Sequence, residues 1–155
     1  LLSTIKEEAY TNFIAPLLLT ILFMPILKKQ ERSAIVNISS GLAYIPYHDA
    51  PVYSATKAAL HALTRSLRGQ LAKTSINVFE VYPSLTDTRM VQYATGYKMT
   101  PKKAAQIITR GILKDRYEII IGFSKITYLM SRLAPAFFEK LLNRKSTNKR
   151  NNEEK

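Results

Sequence analysis

The stretch that most constrains this chain is Ala34 to Leu63, AIVNISSGLAYIPYHDAPVYSATKAALHAL. It opens on Ala34-Ile35-Val36, whose β-branched pair favours the pleated, buried surface of a strand, and a strand is predicted over Ala34 to Ser39. The run closes in Ser39-Ser40-Gly41, a small polar cluster of the kind that ends strands, which puts Ser40 at the strand's carboxyl end. In open parallel α/β sheets that end faces the ligand crevice. After a loop holding Pro46 and Pro51, alanines at 55, 58, 59 and 62 and leucines at 60, 63 and 67 specify a helix from Val52. Tyr53 and Lys57 stand four apart on it, so their side chains rise from one face, one turn from each other.

A tyrosine alone is a poor acid or base at neutral pH, because its unperturbed pKa is about 10. An ammonium beside it stabilises the phenolate and brings proton transfer within reach. A serine hydroxyl placed next to the pair can hydrogen-bond a carbonyl or alcohol oxygen as its charge changes. Ser40, Tyr53 and Lys57 together therefore suit carbonyl–alcohol interconversion. Taken singly the signals are weak: nine tyrosines make a chance Tyr-x-x-x-Lys easy to find, and Ser-Ser-Gly after a strand is ordinarily a turn.

The combination is more specific than its parts. VNISSG, the thirteen-residue step from Ser40 to Tyr53, YSATKAAL and then VYPSLTDT resemble the active-site core of the short-chain dehydrogenase/reductase family. NFIAPLLLT, ISSGLAYIP, PVYSATKAALHALTRSLRGQL and YEIIIG are similar to bacterial oxidoreductases of the DltE type. The resemblance implies an α/β fold, the C-terminal part of a Rossmann-like doubly wound parallel sheet with three strands and flanking helices. It implies NAD or NADP as cofactor, a small-molecule alcohol or carbonyl substrate, and a homo-oligomer for the complete protein. Tyr53 becomes the proton donor or acceptor, Lys57 the group that lowers its pKa and holds the nicotinamide ribose, and Ser40 the group that orients the substrate oxygen.

Two further segments acquire meaning from the resemblance. Pro16 lacks the amide hydrogen that would normally bond the carbonyl of Asn12. In the family the helix is locally distorted at this asparagine, and its carbonyl anchors a water linked to the catalytic lysine. Pro83, Thr86 and Thr88 fall in the turn that binds the nicotinamide carboxamide. Ser84 stands where most relatives have glycine, at a position that often needs unusual dihedrals. Arg89 to Met99 occupies the place of a mobile substrate loop.

Along the rest of the chain, Ser3 to Gln30 is predicted as a helix capped by Ser3 or Thr4, with Glu7 and Glu8 early and Lys28 and Lys29 late, as the helix dipole favours. Its stretch Tyr10 to Leu27 is uncharged for eighteen residues, the threshold for a membrane span. Asn12, two threonines and two prolines interrupt it, so a buried helix packed between the sheet and a subunit partner is expected instead. Ile76 to Tyr82 and Tyr117 to Gly122 read as strands, and Thr100-Pro101 opens a helix to about Lys114. Ser124 to about Leu142 is amphipathic, with Pro135 breaking or kinking it, and suits a lid or an oligomer contact.

With no cysteine, disulfides and thiolate metal sites are excluded, which suits a cytoplasmic protein. The net charge of +12 raises nucleic acid or an anionic membrane as a partner. A concentrated part of it lies in the expected disordered tail, residues 144–155, beyond a domain spanning 1–143. No aromatic ladder interleaves the basic residues, so nucleic acid is not expected, nor is a membrane. Five glycines without a Thr-Gly-x-x-x-Gly-x-Gly turn leave the pyrophosphate cradle unaccounted for. The resemblance thus covers nearly all of this chain but the latter two-thirds of a complete enzyme. A fragment, inactive alone and with an open strand edge, is the expectation. The rival reading is a non-catalytic scaffold or membrane-surface protein that keeps the fold.

Overall fold

Three strands, β1 (Ser33–Ile38), β2 (Ile76–Tyr82) and β3 (Glu118–Ile120), pair in parallel in the order β1-β2-β3 in the computed structural model, which describes residues 2–92 and 96–144. Ser33 lies opposite Ile76 and Ile38 opposite Val81, while Glu80 to Tyr82 face Glu118 to Ile120. The central position of β2 explains its nearly continuous burial, since it is covered on both faces. Helix α3 (Pro51–Gln70) joins β1 to β2 and α4 (Pro101–Leu113) joins β2 to β3, the crossovers that parallel pairing requires.

Strand alternation sorts the core into two clusters, one on each face of the sheet. Leu67 and Leu71 at the end of α3 pack on Ile76 and Val78, with Met24, Leu27, Ile35 and Leu63 around them. Val81, Ile119 and Ile121 pack with Met99 and Ala104 of the α4 side. Local chemistry places the helix starts: proline stands in the first turn of both α3 and α4, and the Thr100 hydroxyl accepts from the Lys103 amide. The expected α/β class with three parallel strands and flanking helices is what forms.

The first helical rod consists of α1 (Leu2–Ala9), a π turn (Tyr10–Ile14) and α2 (Ala15–Leu27). Ser3 and Thr4 lie within α1, so neither acts as the cap expected of them. In the single chain this rod is covered on its sheet side alone, and the partner side of the expected packing is open. Only Thr20 of α2 is buried, and Leu18, Leu19, Ile21, Leu22, Phe23 and Ile26 are exposed. A three-stranded sheet gives the helix one side to lie on, and Met24 and Leu27 are the residues that reach the core. Leu2–Leu27 is long and apolar enough to cross a membrane by length and composition.

Beyond β3 come α5 (Ser124–Leu133) and α6 (Pro135–Leu142), separated where Pro135 breaks the helix. β3 is shorter than the expected Tyr117 to Gly122 because Gly122 turns the chain with φ +55°. Ser84 adopts no such conformation; among the described non-glycine residues Asp115 has positive φ. The expected tail beyond Arg144 and residues 93–95 of the expected substrate loop lie outside the described residues.

Candidate active site

The site begins where β1 ends. The Ser39 amide donates to the Val81 carbonyl at 2.8 Å and continues the ladder one step past Ile38. Ser40, still extended at φ −156° and ψ 156°, then caps a single 3₁₀ turn, Gly41–Ala43, its Oγ accepting from the Leu42 amide at 3.2 Å. The turn is pressed from one side by α5. A Cβ on Gly41 would come within 2.6 Å of Thr127 Oγ1 and 2.9 Å of Ser124 Oγ, so glycine is what lets the two meet.

Tyr53 and Lys57 occupy the first two turns of α3 and face this turn. Lys57 is 9% exposed; its Nζ donates to the Ile38 carbonyl at 2.9 Å and lies 5.5 Å from the Tyr53 ring centroid. Burial pushes the Tyr53 phenol above its ordinary range, the Ser40 hydroxyl beside it pulls the other way, and the Glu8 carboxylate adds to the rise. Burial pushes the Lys57 amine down. The lowering of Tyr53 expected from Lys57 does not figure among the influences on the phenol; desolvation dominates and disfavours both charged forms.

Glu8 reaches Tyr53 because the first rod runs past α3. Asn12 lies one turn further on, half-buried in the π turn, where the Ala15 amide donates back to Tyr10 rather than Thr11. A π turn absorbs a residue whose ordinary bond is missing, and Pro16 supplies that gap. Pro83, Thr86 and Thr88 follow the carboxyl end of β2. The Pro83 carbonyl accepts from Ser124 Oγ at 2.7 Å, Thr86 bridges to Met99, and Thr88 is exposed. Ser40, Tyr53 and Lys57 are thus brought together, Asn12 sits on the neighbouring rod, and the three turn residues stand beyond the next strand.

Beside this site lie Glu80, His61 and Tyr82, which sequence reasoning passed over, and Tyr44, which it assigned to the apolar side of the pocket. Glu80 of β2 is fully buried, with His61 Nδ1 3.0 Å from its Oε2; the Tyr82 hydroxyl is 2.7 Å from the same nitrogen, and Tyr44 stacks on Tyr82. The available signals were a glutamate inside an apolar strand and a histidine four residues after Lys57. A surface cleft of about 440 Å³ between α4 and β3, lined by Arg110, Lys114 and Arg116, shares none of these residues. Among the described residues no group of three His, Cys, Asp or Glu could hold a metal. Lys57 keeps two N–H donors beyond the one given to Ile38, and with the exposed Thr88 hydroxyl these suit a ribose and an amide.

Residues 2–97 match the family described as short chain dehydrogenase. The chain is similar to the uncharacterized oxidoreductase DltE of Bacillus subtilis, 41% identical over 111 residues, which covers 72% of this chain and 41% of that protein. It is also similar to ketoacyl reductase HetN of Nostoc sp., 30% identical over 141 residues, covering 85% of this chain and 48% of the relative. A short chain dehydrogenase from Burkholderia cenocepacia solved in complex with NADP superposes with a TM-score of 0.84 at 24% identity, over 89% of this chain and 60% of that one. That likeness shows the Rossmann-like fold. The chain spans less than half the length of either curated relative.

Proposed function

The chain belongs to the short-chain dehydrogenase family, and from that premise we propose that it carries the acid-base residues of an oxidoreductase that interconverts a carbonyl and an alcohol with NAD or NADP. The observation that supports this best is the half-buried Tyr53 phenol, with the Ser40 hydroxyl beside it and Lys57 Nζ 5.5 Å from its ring, at the carboxyl end of a parallel strand. Structural neighbours include enzymes holding NADP and NADH, so both dinucleotides stay within the proposal.

In this reading Ser40 and Tyr53 donate hydrogen bonds to the substrate oxygen and hold it in place. The raised pKa keeps Tyr53 a neutral hydroxyl at pH 7, the form that gives its proton to an oxygen gaining negative charge. Lys57, whose Nζ lies beside the ring, stabilises the phenolate left behind. The Asn12 carbonyl anchors the water through which Tyr53 recovers its proton by way of Lys57. Lys57 would hold the nicotinamide ribose, and Pro83, Thr86 and Thr88 the carboxamide; the cofactor supplies or accepts the hydride.

The test is oxidation of NADH or NADPH with a panel of carbonyl compounds, using this chain within whatever longer reading frame contains it. Tyr53→Phe should lower turnover by about 10²- to 10⁴-fold, the usual share of general acid-base catalysis. Turnover unchanged without the phenol would overturn the assignment.

A further inference from the structure

We propose that the buried Glu80–His61 pair positions the Ser40 turn for catalysis, acting through the rings of Tyr82 and Tyr44. The inference rests on the reading of Ser40 as the group that orients the substrate oxygen. Neither member of the pair touches substrate; both are positioning residues.

A carboxylate at the centre of a sheet needs donors or a cation. Its register neighbours do not supply them. Opposite Glu80, the Asn37 amide donates to Thr64 Oγ1 at 2.9 Å, and on the other side Glu118 is itself an acceptor, paired with Arg68. His61 supplies the donor from α3. Where Glu80 is ionised it only accepts and Nδ1 is the donor to Oε2, while Oε1 is buried with no hydrogen-bond partner. A half-satisfied buried carboxylate contributes little to stability that an apolar residue would not match, so its effect is sought in what it holds.

What it holds is a stack of rings. The Tyr82 hydroxyl lies 2.7 Å from the same His61 nitrogen, and Tyr44 stacks on Tyr82 with centroids 4.7 Å apart. Tyr44 also meets the edge of His61 at 5.3 Å and of Tyr128 from α5 at 5.1 Å. Tyr44 closes the Ser40 turn: its amide donates to Gly41, the Ala43 amide to the Ser40 carbonyl, and the Leu42 amide to Ser40 Oγ. Ring and hydroxyl belong to one rigid unit, so the place of the ring decides the place of Ser40. His61 stands four residues after Lys57, as Lys57 does after Tyr53, so one stripe of α3 carries the acid, its cation and the anchor of the serine turn.

Removing His61 alone strands a buried carboxylate, so the informative variant is the pair His61→Leu/Glu80→Met, which removes both partners and keeps the volume. Amide hydrogen exchange on the chain should show Leu42, Ala43 and Tyr44 opening about tenfold faster in that variant, with Ala104 and Ile119 unchanged. His61→Asn, which keeps a donor near the place of Nδ1, should restore slow exchange. In the active protein, kcat/KM for the carbonyl substrate should fall about tenfold at constant cofactor KM, with no further loss in a Ser40→Ala background. Wild-type exchange in the folded double variant, or losses that multiply with Ser40→Ala, overturns the proposal. If Tyr53→Phe is fully active, the oxidoreductase reading fails, and the exchange experiment still decides whether the pair anchors the turn.

Discussion

Tyr44, Tyr53 and Tyr82 are all held above the ordinary phenol range, each chiefly by burial, and Lys57 below the ordinary amine range for the same reason. A phenol raised by folding gives stability that is complete below about pH 10 and is lost as pH climbs towards its folded value. Lys57 has the opposite sign, adding stability as pH rises from its lowered value towards about 10.4. Three phenols outweigh one amine, so stability should fall above pH 10. In an absorbance titration at alkaline pH these three tyrosines should ionise only together with cooperative unfolding. Ionisation of all phenols near pH 10 in the folded protein would count against the burial argument. Ser40, Tyr53 and Lys57 were legible because thirteen and four residues of local spacing carry them. His61 and Glu80 were not, because a pair nineteen residues apart meets only when α3 folds onto β2. The turn at Ser84 was open in the sequence for a similar reason: the positive φ lies across it at Gly122, whose Cβ would sit 2.7 Å from the Ser84 side chain. Gly122→Ala should therefore cost more than the roughly 1–2 kcal/mol of a left-handed residue. Ser84→Gly should recover only the excess, as measured by urea unfolding.

Elements were legible where their ends are punctuated locally. Pro51, Thr100-Pro101 and Pro135 mark the starts of α3, α4 and α6, and the β-branched and aromatic run of β2 has the ends expected of it. β1 shifts by one residue and β3 is cut short, since strand ends answer to the partner strand and to the turn beyond. The attachment of α6 had no sequence signal. It depends on Asn143, fully buried just past the helix, whose Oδ1 accepts from the His48 amide at 2.7 Å while Nδ2 donates to the Pro46 carbonyl at 3.0 Å. An asparagine ninety-five residues from its partner looks like any helix-ending polar residue in the sequence. Asn143→Ala removes its bonds to the His48 amide and the Pro46 carbonyl, both on exposed residues, a loss of about 0.5–1.5 kcal/mol for each. Faster exchange of the His48 amide should accompany it, and a change below about 0.5 kcal/mol would mean that α6 is held by Phe138 and its apolar neighbours instead.

At the scale of the whole molecule, two apolar surfaces and one charge decide behaviour in solution. β1 is an edge strand with Val36 and Ile38 exposed, and α2 presents Leu18, Leu19, Leu22 and Phe23 to the outside. A patch of that kind and an unpaired edge both favour association. The net charge of +12 opposes it, because copies of the chain repel one another. The two effects respond differently to salt. Repulsion between exposed charges is screened over about 10 Å at 0.1 M and 3 Å at 1 M, whereas apolar contact is not weakened. Light scattering should therefore show association that grows as salt is raised, the reverse of what assembly through ion pairs would give. Val36→Lys with Ile38→Lys charges the edge and should suppress the part that proceeds through β1. If those variants associate as the parent does, the α2 face is the contact, and Leu22→Lys should be the change that stops it. A monomer at every salt concentration would mean that neither surface is sticky enough to overcome the cost of ordering two chains.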